Sequence, residues 1–114
     1  MKSSVIRVEM ENNLIETLEK ELKKRKIKDG IIASVVGALK EFTIITIYKD
    51  SKKKPPDHFP KTFKIPVELS GNGFISGGKV HIHASMGAEN GKTYNGHLVE
   101  GTVTYFVDIG IIYS

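Results

Sequence analysis

The sequence predicts an α+β domain in which a mostly antiparallel β-sheet is combined with one main helix. Three observations support this: one helical repeat of leucines near the N-terminus, several β-branched runs bounded by glycine, proline or asparagine, and a long apolar segment near the C-terminus. With 114 residues, 39% of them hydrophobic, the chain fits a single domain over residues 1–114 with a modest core.

The first two predicted elements are a strand and a helix. Residues 4 to 10 alternate loosely, and Asn13 then serves as helix N-cap with Glu16 three positions later, a capping-box-like pair. Apolar residues repeat at helical spacing along one side of the helix: Leu14, Ile15, Leu18 and Leu22. Lysines crowd the end of the helix, where they complement its dipole, and Asp29-Gly30 closes the element.

The next segment predicts two strands, at residues 31 to 39 and 42 to 48. The residues between them are few enough for a hairpin-like connection or a bulge. Gly37, inside the first apolar run, indicates a bend or a close approach of another backbone. Residues 49 to 60 contain three prolines and are therefore predicted to form a loop, in which His58 is expected to be exposed and not to bind a metal.

A strand at residues 62 to 70 follows, and Pro66 within it indicates a sheet edge or a bulge. Residues 71 to 73, Gly-Asn-Gly, are predicted to turn the chain. Gly77-Gly78 offers a tight hairpin into the next strand.

The C-terminal part predicts strands at residues 93 to 99 and 102 to 113. The last strand has large apolar groups on both faces, with Tyr105 grouped with Val103 and Val107 on one face and Phe106 on the other. One helix cannot cover both faces of such a sheet in a domain of this size. We therefore expect the chain to assemble as an oligomer.

Three of the four histidines lie in one stretch, between residues 79 and 98. In a strand from residue 79 to 86, His81, His83 and Ser85 share one face while the alternate, apolar residues share the other. A glycine-rich connection then folds the chain back towards His97. Neutral imidazoles suit zinc and similar divalent metals, and three of them leave an open coordination position. The alternative is that these histidines bond to each other, to backbone groups or across a subunit interface.

The charge is +4 and unevenly placed, with two lysine-rich blocks that could attract a nucleic acid. The candidate nucleic-acid contacts in these blocks are Lys23, Lys24, Arg25, Lys26, Lys52, Lys53 and Lys54. The alternative is that these lysines form an ordinary solvated surface with no binding role. There is no cysteine, no apolar run long enough to span a bilayer and no signal-peptide pattern, so we expect a cytoplasmic protein.

Several motifs together resemble the PPC domain, which is shared by plants and prokaryotes. The matching segments follow the family's order: Ser34–Leu39, Leu69–Gly71, the His-x-His strand at Lys79–His83, Asn95–Leu98, and Gly101. The resemblance spans essentially the whole chain. It departs from the family pattern at Asn95, where glycine is usual, at Val80, where proline is common, and in the connection at residues 74 to 78.

The resemblance implies an α+β fold with one prominent helix, assembled as a homotrimer. Many members carry a predicted DNA-binding label, yet in plant members an AT-hook outside this domain contacts DNA, and no Arg-Gly-Arg-Pro core occurs here. In some prokaryotic members the three histidines resemble a metal site. The candidate functions are therefore a zinc-like metal or small-ligand site, DNA association through lysines, and a purely structural association module. No catalytic motif assigns a reaction.

Overall fold

The computed structural model describes residues 1–46 and 60–114 of the chain. Within this part it contains one helix and six strands, which confirms the predicted α+β class. In chain order the elements are β1 (Lys2–Glu9), α1 (Leu14–Lys24), β2 (Gly30–Ile45), β3 (Lys61–Phe63), β4 (Val67–Ser76), β5 (Lys79–Gly87) and β6 (Thr93–Tyr113). The loop predicted at residues 49 to 60 lies outside the described residues, except for its last position.

The six strands form one antiparallel sheet that closes on itself. The strand order is β1-β6-β5-β4-β2-β3, and β6 also pairs with β2. This additional pairing runs from Gly30 opposite Tyr113 to Ile45 opposite His97. Because β4 and β5 connect the other edges of the same two strands, the sheet becomes a small barrel with β1 and β3 as its remaining edges.

β2 and β6 are each a single strand where the sequence suggested two. The residues between the two strands predicted in β2 form a bulge, since the register shifts between Leu39 and Glu41. This confirms the bulge and excludes the hairpin. β6 likewise continues through Glu100 and Gly101, 21 residues in all. Bulges let both long strands bend around the barrel without ending.

The predicted turn at residues 71 to 73 was wrong, because these residues lie inside β4. The glycines there serve close packing: an added Cβ would stand 2.5 Å from the His83 carbonyl oxygen at Gly71, and 1.8 Å from that of His81 at Gly73. Pro66 separates β3 from β4 instead of lying within one strand. The hairpin at Gly77-Gly78 is confirmed, with positive φ at both glycines.

The helix begins as predicted, with the Asn13 side chain accepting the Glu16 backbone N–H at 3.1 Å. It ends in a Schellman motif: the N–H groups of Lys26 and Ile27 donate to the carbonyls of Lys23 and Leu22. Lys26 has φ +59°, a conformation in which glycine is usual at this position. The helix buries its leucine stripe against β1, β5 and β6.

The core fills the inside of the barrel with aliphatic side chains, including Val103, Val107 and Ile109 of β6. Tyr105 was expected beside them, but its side chain is 71% exposed. Two extra residues of β6 bulge out here, since Gly37 faces Val107 while the next residue, Ala38, already faces Thr104. The bulge holds Tyr105 at φ +61°, so its side chain leaves the core while the flanking valines stay inside.

Gly37 is the close-approach position predicted from the sequence. A Cβ there would lie 2.2 Å from the Phe106 carbonyl oxygen and 2.6 Å from Val107 Cα, both of them backbone atoms. We expect Gly37→Ala to lower the free energy of unfolding by roughly 1–3 kcal/mol, the usual cost of overpacking. Urea denaturation measures this change.

The matched control is Gly87→Ala, where an added Cβ meets no heavy atom within 4 Å. That variant should stay within about 0.5 kcal/mol of the parent protein. Equal effects of the two substitutions would show that the contact between β2 and β6 at Gly37 is not tight.

Candidate functional site

The three histidines of the predicted site come together on the outer surface of the barrel. In β5 the side chains of Ile82, Ala84 and Met86 are buried, so His81 and His83 project outward, as their alternation predicts. The β5–β6 hairpin then pairs His83 directly with His97. We call this trio the histidine cluster.

The rings of the histidine cluster are in close contact. The ring centroids of His81 and His97 lie 4.3 Å apart with an interplanar angle of 28°, and those of His81 and His83 lie 5.3 Å apart. Phe74 of β4 stacks on the other side of His81, 4.9 Å away at 13°. Phe74, His81 and His97 therefore form a stack of aromatic rings, and the ring of His83 lies beside this stack, tilted by 45° from His81.

His97 has the most perturbed environment of the three. Its Nδ1 atom is buried and has no hydrogen-bond partner among the described residues. Burial lowers the pKa of His97, and repulsion from His81 and His83 lowers it further. The imidazole is therefore held neutral, which is the form that offers a nitrogen lone pair to a metal.

The donor set suits a borderline metal such as zinc, since neutral imidazole is one of its preferred ligands and the buried Nδ1 has no other partner. The rings, however, are not arranged around a common point. Across residues 1–46 and 60–114, no group of three or more histidine or acidic side chains is placed to hold a metal ion together. Stacked rings present their faces to one another, so binding would require the imidazoles to turn until their nitrogens converge.

A polar lane runs beside the histidine cluster on the same surface. Ser70, Ser85 and Asn95 are paired across β4, β5 and β6, one outward position along from His83. A cavity of about 500 Å³ lies over this lane and His83. A second cavity, of about 740 Å³, shares the lane and extends to Tyr105 and Phe106.

Sequence reasoning named Ser85 as a neighbour of the histidines but missed Ser70. Ser70 lies in the Leu69–Gly71 segment that resembles the family, but only its cross-strand pairing with Ser85 brings it beside the histidines. Glu100, the acidic residue that follows His97 in β6, lines a different groove, beside α1.

The predicted nucleic-acid residues lie away from the histidine cluster where the structure describes them. Lys23, Lys24 and Lys26 are exposed at the end of α1. The Arg25 guanidinium is already hydrogen-bonded within the chain, donating to the Glu21 side chain at 3.0 Å and to the Ser4 hydroxyl at 3.0 Å. The predictions for Lys52, Lys53, Lys54 and His58 concern positions outside the described residues.

The apolar residues exposed on the barrel share the surface of the histidine cluster. One row of paired residues runs from Ile31 through Phe74 to His81, and the adjacent Val36 is paired with Ser70. Ile31 and Val36 are each 57% exposed. We call this surface the outer face; it also contains the bulged aromatics Tyr105 and Phe106.

A charged pair borders the outer face. The Arg7 guanidinium donates two hydrogen bonds to the Asp108 carboxylate, at 2.7 and 2.8 Å, and lies 4.1 Å from the Phe106 ring centroid. These bonds lower the pKa of Asp108.

No helix in the described part of the chain is long and apolar enough to cross a bilayer.

Comparison with known families and structures gives a consistent result. The model of the Plants and Prokaryotes Conserved (PCC) domain, the family introduced above as PPC, matches residues 1–113. No curated protein matches the chain.

Three solved structures are similar over nearly the whole chain. A plant- and prokaryote-conserved protein from Pyrococcus horikoshii is 28% identical, with a TM-score of 0.84 over 100% of this chain and 80% of the other. A protein from Bacteroides thetaiotaomicron, whose description proposes DNA binding, is 21% identical with a TM-score of 0.83 over 97% and 78%. A metal-containing protein from Archaeoglobus fulgidus is 24% identical with a TM-score of 0.78 over 99% and 79%.

The lowered pKa of His97 predicts a pH-dependent stability in metal-free protein. As pH falls, the unfolded chain takes up a proton at this histidine before the folded chain does. The contribution of His97 is therefore complete above its unfolded pKa, about 6.5, and is lost as pH falls through the folded pKa.

We expect the free energy of unfolding, measured with a chelator present, to fall between about pH 7 and pH 5 less steeply in His97→Gln than in the parent chain. Identical slopes in the two proteins would contradict a neutral His97 with a partly buried ring.

Proposed function

We propose a metal-binding function for this chain, which belongs to the Plants and Prokaryotes Conserved (PCC) domain family. The proposed ligands are His81, His83 and His97, and the proposed ion is zinc or a similar divalent transition metal. One observation carries the proposal: three imidazoles touch on a rigid sheet, and the buried Nδ1 of His97 has no partner in the described part of the chain.

The environment of the histidine cluster favours a cation that binds neutral nitrogen donors. Among the described residues no carboxylate lines the cavity over His83, so the imidazoles are the donors that would select an ion there. Such an ion would supply a Lewis acid with an open coordination position. The A. fulgidus neighbour, described as metal-containing, is consistent with this proposal.

The metal test uses protein without a histidine tag, stripped with a chelator and titrated with Zn²⁺ in a calorimeter. We expect about one ion per chain, and a loss of at least about 100-fold in affinity in His97→Ala, because losing a direct ligand costs more than losing a supporting residue.

His58→Ala is the matched control, since it removes the one histidine outside the motif and should leave the affinity unchanged. Stoichiometry far below one ion per chain, or equal losses in both variants, would refute the site.

We further propose that the chain forms a homotrimer through its outer face. Ile31, Val36, Phe74 and Tyr105 of this face are all at least 49% exposed. Apolar groups this numerous and this close together on one side of a small domain are typical of a protein–protein contact surface. The histidine cluster, which adjoins Phe74, would then lie at or near the subunit boundary.

Light scattering during gel filtration tests the assembly. The parent chain should elute with three chain masses and Phe74→Lys with one, because a charge buried in the contact would have no partner. Met10→Lys adds the same charge at an exposed apolar residue in the turn before α1 and should leave the mass unchanged. A single chain mass for the parent protein would disprove the trimer.

DNA association is the second candidate, and the exposed lysines at the end of α1 favour it. The description of the B. thetaiotaomicron neighbour points the same way. However, the described residues contain a single helix, so they offer no helix-turn-helix with which to read a major groove. Any DNA contact would therefore be made to the phosphate backbone and would be strongly salt-dependent.

A further inference from the structure

A groove separate from the histidine cluster lies between α1 and the β4–β5 turn. Its volume is about 730 Å³, within the usual range for small-molecule sites, and it shares no lining residue with the cavities over the outer face. Apolar side chains in its lining include Ile15, Ile27 and Val99, and its cationic side chains are Lys20, Lys23, Lys26, Lys28 and Lys79.

The two walls of this groove are tied to each other. The Glu19 carboxylate accepts the Val80 backbone N–H at 3.0 Å, which fixes the helix to the start of β5. The Gly78 N–H donates to the Lys28 carbonyl at 2.9 Å, which fixes the β4–β5 turn to the chain after the helix. A ligand would therefore find the groove already formed, without a large cost for ordering it.

The groove carries an excess of positive charge. Five lysines line it against three glutamates, and two of the glutamates already pair with lysines: Glu16 with Lys20 at 3.2 Å and Glu19 with Lys79 at 3.7 Å. The other three lysines make no salt bridge within the described residues. Their charges are therefore available to an anion.

The helix dipole does not explain all of these lysines. It accounts for Lys23, in the last turn of α1, but Lys28 and Lys79 lie outside the helix. Lys26 occupies a left-handed backbone position where glycine would be less strained. Backbone conformation thus gives no reason for a lysine there, whereas binding an anion does.

We propose that this groove binds a small organic phosphate, with the phosphate held by Lys23, Lys26 and Lys28 and an apolar body against Ile15, Ile27 and Val99. Lysine ammonium groups are well suited to phosphate, and an apolar lining adds affinity for the attached group. A DNA duplex fits less well, since it would touch the lysines and leave the apolar lining unused. This site does not depend on the proposed metal function.

The test measures fluorescence anisotropy of a ribose-labelled adenine nucleotide at about 50 mM salt, where electrostatic contacts are strong. We expect saturable binding, and about a tenfold loss of affinity in Lys26→Gly and in Lys28→Ala, the effect of one charged hydrogen bond. Lys64→Ala, at an exposed lysine outside the groove, removes the same charge and should have no effect.

Lys26→Gly distinguishes a loss of nucleotide binding from a loss of stability. Glycine relieves the left-handed strain at this position, so this variant should be at least as stable to urea as the parent chain while it binds the nucleotide more weakly.

Inorganic phosphate should compete poorly with the nucleotide, because it lacks the apolar body. Absence of saturable binding up to about 1 mM nucleotide, the weak limit for a specific site, would overturn the proposal. The proposal would also be overturned if a DNA duplex bound and the nucleotide did not, with Lys64→Ala weakening duplex binding as much as Lys26→Gly. That result would indicate a general nucleic-acid surface.

Discussion

Backbone hydrogen bonds between β2 and β6 decide where every other strand of this domain can lie. The two strands are paired from Gly30 and Tyr113 to Ile45 and His97. Their free edges then accept β4 and β5 on one side of the barrel and β1 and β3 at its margins. Among the glycines of these two strands, Gly37 is the one at which an added Cβ would come closest to the facing backbone, and the bulge opposite it bends β6 and turns Tyr105 out of the core.

Closing the sheet in this way leaves one domain with two surfaces of different chemistry. The inside is mostly aliphatic, whereas the outer face combines imidazoles, small polar groups and exposed aromatic rings. The strand that places Ile82 in the core also places His81 and His83 on that face. A change that disturbed the core at β5 would therefore disturb the histidine cluster as well.

The features that could be predicted from the sequence are those that residues close together in the chain determine. The outward direction of His81 and His83 follows from the period of a strand, and the Asn13 cap follows from side-chain chemistry at a helix start. The pairing of strands that are far apart in the sequence could not be predicted in this way. The glycine at position 73 looked like a turn residue, but it is needed because the His81 carbonyl passes close to it in the next strand. Likewise, nothing local indicates that Ser70 and Asn95 meet, since only the register of three strands brings them together.

The position of β1 has a consequence for how the chain is made. Among the elements of this domain β1 is synthesised before the others, yet its backbone partners lie in the last part of β6, with Lys2 opposite Tyr113. The barrel cannot close until that final strand has been synthesised, so folding is completed after translation of the whole domain and is slowed by the large sequence separation of its contacts. During that interval the apolar outer face and several strand edges are open to neighbouring chains, which makes nascent polypeptide the form most exposed to misassembly.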